Sequence, residues 1–406
     1  MDLQSFKLLL TPQGQQALEA AAANEPREVD FLKHFDALRR RYPEDLARAA
    51  LETAILRGEA QAKFPFAAQM YFTRPALEQA SSFLVSAYRS ARFRPFKCLV
   101  DLGCSIGGDT LSLAPLAPTL AIDLDPLRLA MARANLAALD LQANARFVQA
   151  DLNAPLPLEP RQKDSQTALF FDPARRADGR RVFSVQDYHP PLSVTHTWLE
   201  RFPALGVKIS PGVNLQELAG YEAEIEFISL EGELKETVLW FGPLKTAARR
   251  ATLLPGPHSL QSSLSFEQAQ MQRGQILPVN EPRACIYEPD PAVIRAGLVE
   301  DLGLQLQAAQ LDPDIAYLTA DHQVETPFAR SWTVEAWFPF QLKRLRAALR
   351  ERGVGRVVVK KRGSPLQPEA LIQELKLKGD HERVIFLTRL RGRPIIILCY
   401  PQSVTA

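Results

Sequence analysis

Apolar positions along the chain fall into three regimes. Up to about residue 65, Leu and Ala recur at helical spacing. Residues 12–22, 30–41 and 43–56 therefore predict a small helical domain over 1–65. Thr73 and Pro75 then open a further helix over 76–88, as cap and first-turn residue. From residue 98 the pattern changes to short apolar runs without alternation, at 98–100, 121–123, 146–150, 168–171 and 207–210. Such runs mark parallel strands buried on both faces. Helical segments at 109–113 and 127–139 separate the first of them, the second capped by Asp125 with Pro126 in its first position. Segments 224–230 and 236–241 read as an antiparallel hairpin turning through Glu231-Gly232-Glu233. The region 66–245 is thus a doubly wound α/β domain. Residues 246–328 are rich in turns and prolines and read as a linking region, with a strand at 251–254 and a helix over 289–302 capped by Asp290. Residues 329–406 run β-α-β-α-β-β and form a separate small domain.

Composition narrows this picture little. With 406 residues, 46% of them apolar and 23% charged, the chain has ample material for a core. No stretch approaches the roughly eighteen unbroken apolar residues of a membrane span. The amino terminus carries no basic, then apolar, leader pattern, so a cytoplasmic location is expected. Cys98, Cys104, Cys285 and Cys399 lack metal-ligand spacing and read as reduced thiols. The six histidines form no metal cluster, and His189 and His196 read as structural or surface residues. Charge is more informative. The net value is only +2, but residues 339–393 hold fifteen Lys or Arg against five Asp or Glu. An excess confined to one end of a chain points to an anionic partner, most simply nucleic acid.

The chemistry concentrates at the ends of the apolar runs. The first enters the turn Asp101-Leu102-Gly103-Cys104-Ser105-Ile106-Gly107. A pyrophosphate-binding loop would read G-x-G-x-x-G. Here an acid precedes the first glycine, which disfavours a pyrophosphate and suits a cationic ligand. The following runs end in Asp123-Leu124, Asp151-Leu152 and Asp172-Pro173, at intervals of 22, 28 and 21 residues from Asp101 onward. Each interval fits one β-α unit, and ligands of such sheets bind off the carboxyl ends of the strands.

This series resembles motifs I to IV of the class I S-adenosylmethionine-dependent methyltransferases. The resemblance implies a Rossmann-like seven-stranded sheet with S-adenosylmethionine as cofactor. It implies that Asp101, Gly103, Ser105 and Gly107 lie beneath the methionine moiety. Asp123 and Leu124 would meet the ribose, Asp151 and Leu152 the adenine, and Phe72 and Thr73 would cover the cofactor. Asp172-Pro173-Ala174-Arg175 is similar to the D/N-P-P-Y/W/F motif of enzymes that methylate exocyclic amines of bases. There the carboxylate and the proline carbonyl accept hydrogen bonds from the amine, and the aromatic stacks on a flipped base. Asp172 and Pro173 match. Ala174 and Arg175 depart, so Phe183, Tyr188 or an arginine plane would have to supply the platform. Asp172 would align the amine and accept its proton. Arg175, Arg176, Arg180 and Arg181 would meet phosphates beside the target.

The carboxyl-terminal domain resembles the THUMP-like domain of a bacterial group of these enzymes, through Lys360-Lys361-Arg362-Gly363-Ser364 and Leu387-Thr388-Arg389. Val207-Lys208-Ile209-Ser210-Pro211-Gly212 and Tyr287-Glu288-Pro289-Asp290-Pro291 are similar to that group as well. THUMP domains are RNA-binding modules of tRNA-modifying enzymes. The resemblance therefore implies an RNA partner, tRNA or rRNA, held by Lys360, Lys361, Arg362, Arg389, Arg391 and Arg393 without metal or membrane. A protein or metabolite substrate, or a non-catalytic RNA-binding protein on the same fold, are the alternative expectations.

Overall fold

The computed structural model describes residues 1–158, 164–177, 180–181 and 184–402, with the side chains of 176, 177, 180 and 181 left out of the description. The chain divides into two compact units, one comprising Met1–Glu224 with Lys235–Thr246, the other Ile225–Leu234 with Ala247–Ala406.

The first unit opens with helices α1 (Leu3–Leu9), α2 (Pro12–Ala22), α3 (Phe31–Leu38), α4 (Glu44–Ala60), α5 (Arg74–Gln79) and α6 (Phe83–Ser90). These precede strand β1 (Cys98–Leu102), helix α7 (Thr110–Leu113), β2 (Thr119–Asp123), α8 (Pro126–Ala137), β3 (Ala145–Gln149) and β4 (Thr167–Phe171). Helix α9 (Val194–Arg201), β5 (Ala204–Ile209), β6 (Glu224–Leu230) and β7 (Glu233–Phe241) follow. Strands β3, β2, β1, β4 and β5 lie side by side in that order, all parallel, and β7 pairs antiparallel with β5. The apolar runs become central strands because both faces are covered: every residue of β4 and of β5 is buried. The remaining strand of the expected seven, β6, belongs to the second unit.

The amino-terminal helices do not enclose a core of their own. Phe6, Leu18, Leu51 and Phe72 share one hydrophobic cluster with Ile106 and Leu111 and with Met131 and Leu136 of α8. Asn135, with no exposed surface, fastens this junction. Its amide donates to the carbonyls of Tyr71 at 3.1 Å and Ile106 at 2.9 Å, and its Oδ1 accepts from the Tyr71 N–H at 2.7 Å. The helix expected over 76–88 is broken. α5 ends at Gln79 and α6 starts at Phe83, with Ala80, Ser81 and Ser82 between them.

The second unit contains β6, β8 (Arg249–Leu254) and β9 (His258–Ser262), then α10 (Phe266–Gln272), β10 (Cys285–Pro289), α11 (Pro291–Arg295) and α12 (Val299–Gln305). Next come β11 (Ala309–Asp312), β12 (Ile315–Ala320), β13 (Ala329–Pro339), α13 (Leu342–Glu351), β14 (Val354–Lys361), α14 (Pro368–Leu375), β15 (His381–Leu390) and β16 (Arg393–Cys399). β6 pairs parallel with β8, and β8 antiparallel with β9. A seven-stranded sheet runs β11-β12-β10-β13-β16-β15-β14. Residues expected to link domains thus supply three strands to the sheet that also carries 329–402. The register Ile286 to Trp332 ties them together, and Ile286, Leu311, Tyr317, Trp332 and Phe386 share a core. No described helix is long and apolar enough to cross a membrane.

Candidate active site

The carboxyl ends of β1 to β4 open into a cleft of about 520 Å³ in the first unit. Gly103, with φ of +80°, lets the turn after β1 pass against β4: a Cβ there would lie 2.7 Å from the Asp172 carbonyl oxygen. Ser105 also takes a left-handed conformation, and its N–H donates to Asp123 Oδ2 at 2.8 Å. Asp123 Oδ1 accepts from the Asp125 N–H at 2.9 Å, so one carboxylate joins the turns after β1 and β2. Asp151, in the open, accepts from the Asn153 backbone and side-chain N–H groups at 2.9 Å each, and the backbone bond holds its carboxyl below the usual range.

The structure gathers Gly103, Ser105, Asp123, Leu124, Asp151, Leu152, Asp172, Pro173 and Arg175 around this cleft. Arg176 directly follows them in the chain, and Arg180, Arg181 and Phe183 lie beyond, outside the described side chains. Four expectations are corrected. Phe72 is fully buried against Phe64, with ring centroids 5.8 Å apart, and forms core. Thr73 caps α5 by accepting from the Ala76 N–H. The cleft is instead bordered there by Gln79, Ala80 and Ser81, the segment that breaks the helix. Gly107 packs on α8, where a Cβ would come within 3.1 Å of Leu136. Asp101 is 1% exposed and lies beneath the turn, not in the cleft. Its Oδ2 accepts from the Thr110 hydroxyl at 2.5 Å and its Oδ1 has no hydrogen-bond partner among the described residues. Burial, with the Asp109 carboxylate close by, pushes its carboxyl up to about 8.

Asp109 takes the lining position expected of Asp101. It pairs with the buried Arg89, whose other Nη lies 2.7 Å from Glu236 and whose guanidinium stacks over Phe170. Asp172 Oδ2 is 2.7 Å from Lys208 Nζ, which also donates to the Gln79 carbonyl at 3.2 Å. Lys208 is 2% exposed, so its charge depends on that carboxylate for solvation. Nothing in local spacing pointed to Lys208. An isolated lysine in an apolar run that forms a central strand was the available signal. Tyr188 cannot be a stacking platform: it is buried, and its phenolic oxygen accepts from the Ser210 N–H at 3.2 Å. His189 does reach the cleft, because Ala174 and His189 exchange backbone hydrogen bonds at 3.1 and 3.2 Å and close the loop between them. Burial pushes the Cys104 thiol far above its ordinary range, which removes it as a nucleophile.

The lining carries five carboxylates, of Asp109, Asp123, Asp125, Asp151 and Asp172, against Arg128 and Arg175. Ile106, Leu124 and Leu152 add apolar surface between them. The cleft therefore suits a ligand with cationic, hydroxyl and flat apolar parts, and repels phosphate. Among the described residues no group of acids, His and Cys has the arrangement of a metal site.

In the second unit most of the expected RNA contacts make bonds within the chain. Lys360 Nζ is 2.5 Å from Glu288 and sits over the Trp332 ring, and Arg362 is 3.7 Å from Glu288 and lies over Tyr317. Arg389 donates to the Gly363 carbonyl at 2.6 Å, Arg391 to that of Val279 at 3.1 Å, and Lys361 to Leu366 and Gln367. Arg393 is exposed.

Residues 329–401 match the family described as THUMP domain-like, and residues 2–60 match a domain of unknown function. A solved structure of a Porphyromonas gingivalis W83 protein assigned as a methyltransferase has the same fold, with a TM-score of 0.74 over 93% of this chain and all of that one at 21% identity. Trimethylguanosine synthase of Schizosaccharomyces pombe is 24% identical over 163 residues, 37% of this chain and 68% of that protein. The uncharacterized S-adenosylmethionine-dependent methyltransferases MT3122 and Rv3037c of Mycobacterium tuberculosis are each 35% identical over 367 residues, 85% of this chain and 94% of theirs. At that identity and coverage, and with the class I sheet order ending in an acid-lined cleft, the chain belongs to the S-adenosylmethionine-dependent methyltransferases.

Proposed function

We propose that this enzyme methylates an exocyclic amine of a base in tRNA or rRNA. The observation that carries the reading is a separation of charge. The reaction cleft is acidic and would turn away a nucleic-acid backbone, yet the THUMP domain-like region carries the basic excess. A neutral base flipped out of its strand can enter such a cleft while its phosphates stay outside. The likeness to trimethylguanosine synthase, whose name places its product on guanosine, favours a guanine amine.

The cleft fits the cofactor on its own chemistry. The close approach at Gly103 leaves no room for a side chain, and the donor set is carboxylates flanked by aliphatic residues. Asp123 would accept from the ribose hydroxyls, with Leu124 beside them. Asp151 would accept from the adenine amine, with Leu152 and Ile106 against the ring. Asp109 is the acid for the cationic end, in place of Asp101. Bound S-adenosylmethionine supplies a methyl group already activated by a sulfonium.

The chain's own work is then orientation. Lys208 occupies Oδ2 of Asp172 and holds the carboxylate in one rotamer, which leaves Oδ1 to accept from the target amine. The Pro173 carbonyl is the second acceptor. With Tyr188 buried, the planar groups among the described residues that could stack on a base are the Arg175 guanidinium and the His189 imidazole.

The test is transfer of radiolabelled methyl groups to RNA from cells lacking this gene, separated by size, with Asp172→Ala alongside. Label in one RNA species, absent with the variant, is the expected result. Cofactor binding without label in any RNA would move the substrate to a protein or metabolite.

A further inference from the structure

Lys360 and Arg362 share Glu288 as counter-charge, which weakens that strand end as a phosphate anchor, and the second unit carries another cationic surface apart from it. One groove there, of about 380 Å³, runs between α13 and the chain leaving α14. Its polar lining is entirely cationic, with Arg346, Arg350, Lys376 and Lys378 above a floor of Leu349, Leu375 and their apolar neighbours. Helix α13 is built for this. Leu345 and Leu349 face the core, while Lys343, Arg346 and Arg350 fall at i, i+3 and i+7 on one outer stripe.

The groove is also held in shape. Arg346 Nε and Nη2 donate to the Glu374 carbonyl at 2.9 and 2.6 Å, clamping α13 to the end of α14. The far wall is pinned where a Cβ at Gly355 would lie 1.7 Å from the Gly379 carbonyl oxygen, so only glycine allows the segments to meet. Arg350, Lys376 and Lys378 are exposed and carry no ion pair among the described residues, and Lys376 takes a left-handed conformation at the carboxyl-terminal cap of α14. Point charges on a pre-shaped concave surface suit phosphates in series, and such contacts set a nucleic acid's register without reading its sequence.

We infer that this groove holds the sugar-phosphate backbone of the RNA substrate. The inference rests on the proposed RNA methyltransferase reading and replaces the strand-end cluster as its anchor. The groove's concavity and fixed walls favour a single strand or loop over a flat anionic membrane.

The experiment uses the full chain and a variant with Lys343→Ala, Arg350→Ala, Lys376→Gly and Lys378→Ala. Arg346 is kept because it clamps the fold, and glycine suits the backbone at 376. Bulk tRNA and fragmented rRNA are the probes, titrated across a salt series. A second variant, Arg273→Ala with Arg330→Ala and Arg356→Ala, controls for lost charge, and thermal melts establish that both fold. The groove variant should bind RNA about 100-fold more weakly near 0.1 M salt. The slope of log affinity against log salt should fall by about 3, while the control changes less than about 5-fold. If the unaltered chain binds and methylates RNA but the groove variant matches it, the groove is wrong and the proposed function stands. If the unaltered chain neither binds nor methylates RNA, both fall. Groove-dependent binding to phosphatidylserine vesicles, with no groove dependence for RNA, would also overturn the inference.

Discussion

Each unit holds a lysine–carboxylate pair of similar length at a strand end. In the first, Lys208 lies 2.7 Å from Asp172; in the second, Lys360 lies 2.5 Å from Glu288. Both acids are mostly covered, with 22% and 19% of the side chain exposed. They differ in what remains of the carboxylate. Glu288 meets Lys360 through Oε2 and Arg362 through Oε1, and both cations lie against aromatic rings. Asp172 gives one oxygen to Lys208 and borders an open cleft shared with four other acids. A closed ion pair serves packing, whereas a half-used one can recognise a ligand. Sequence alone does not separate them, because both sit next to Pro in short acidic motifs.

The sharpest test of this distinction is Asp172→Asn. Methyl transfer should fall by about 10³-fold or more. Stability should also fall, by about 3 kcal/mol in urea titrations, because the buried Lys208 loses its counter-charge. Glu288→Gln should cost stability alone. It leaves Lys360 and Arg362 without a counter-charge and should destabilise the chain by about 2 kcal/mol in urea titrations, with cofactor affinity unaltered. If the two variants lost activity equally at equal stability, Glu288 would need a role in the reaction as well.

A pH experiment examines the layer beneath the cleft. The Asp101 carboxyl is pushed up to about 8 in the folded chain, against about 3.9 when unfolded. Between those values the folded state binds the extra proton, so this group's contribution to stability declines as pH rises from about 4 to about 8. Asp101→Asn keeps an acceptor for Thr110 and cannot ionise. Its urea stability should therefore fall less between pH 5 and pH 8 than that of the unaltered chain. An identical decline would show that Asp101 does not hold its proton. Asp151→Ala should have the smallest effect. Its carboxylate is in the open, so cofactor affinity should weaken by only about 5-fold, read by calorimetry, with stability within about 0.5 kcal/mol.

The parallel core was legible because its signal is local. A strand buried on both faces has to be apolar throughout, and the acids that close β2 and precede the cleft follow at β-α intervals. The lining by Gln79 to Ser81 was hidden, since Ala and Ser continue a helix as readily as they break one. Phe72 was misread because an aromatic before a helix looks the same in sequence whether it covers a ligand or fills a core; Asn135, 64 residues away from Tyr71, decides the matter. The pairing within the basic cluster was hidden for the same reason. Lys360 and its partner Glu288 are 72 residues apart, and a charge count cannot see neutralisation at that distance.

The chain crosses between its units more than once. It leaves the first at Ile225, runs through β6, returns at Lys235 for β7, and leaves again at Ala247. β7 completes the pairing of β5, while β6 pairs with β8. No single cut yields either unit whole. A fusion joint or stop codon between Ile225 and Ser262 would break a strand pairing. An engineer exchanging the carboxyl-terminal region between relatives should therefore place the joint beyond β9 rather than at the edge of the methyltransferase motifs.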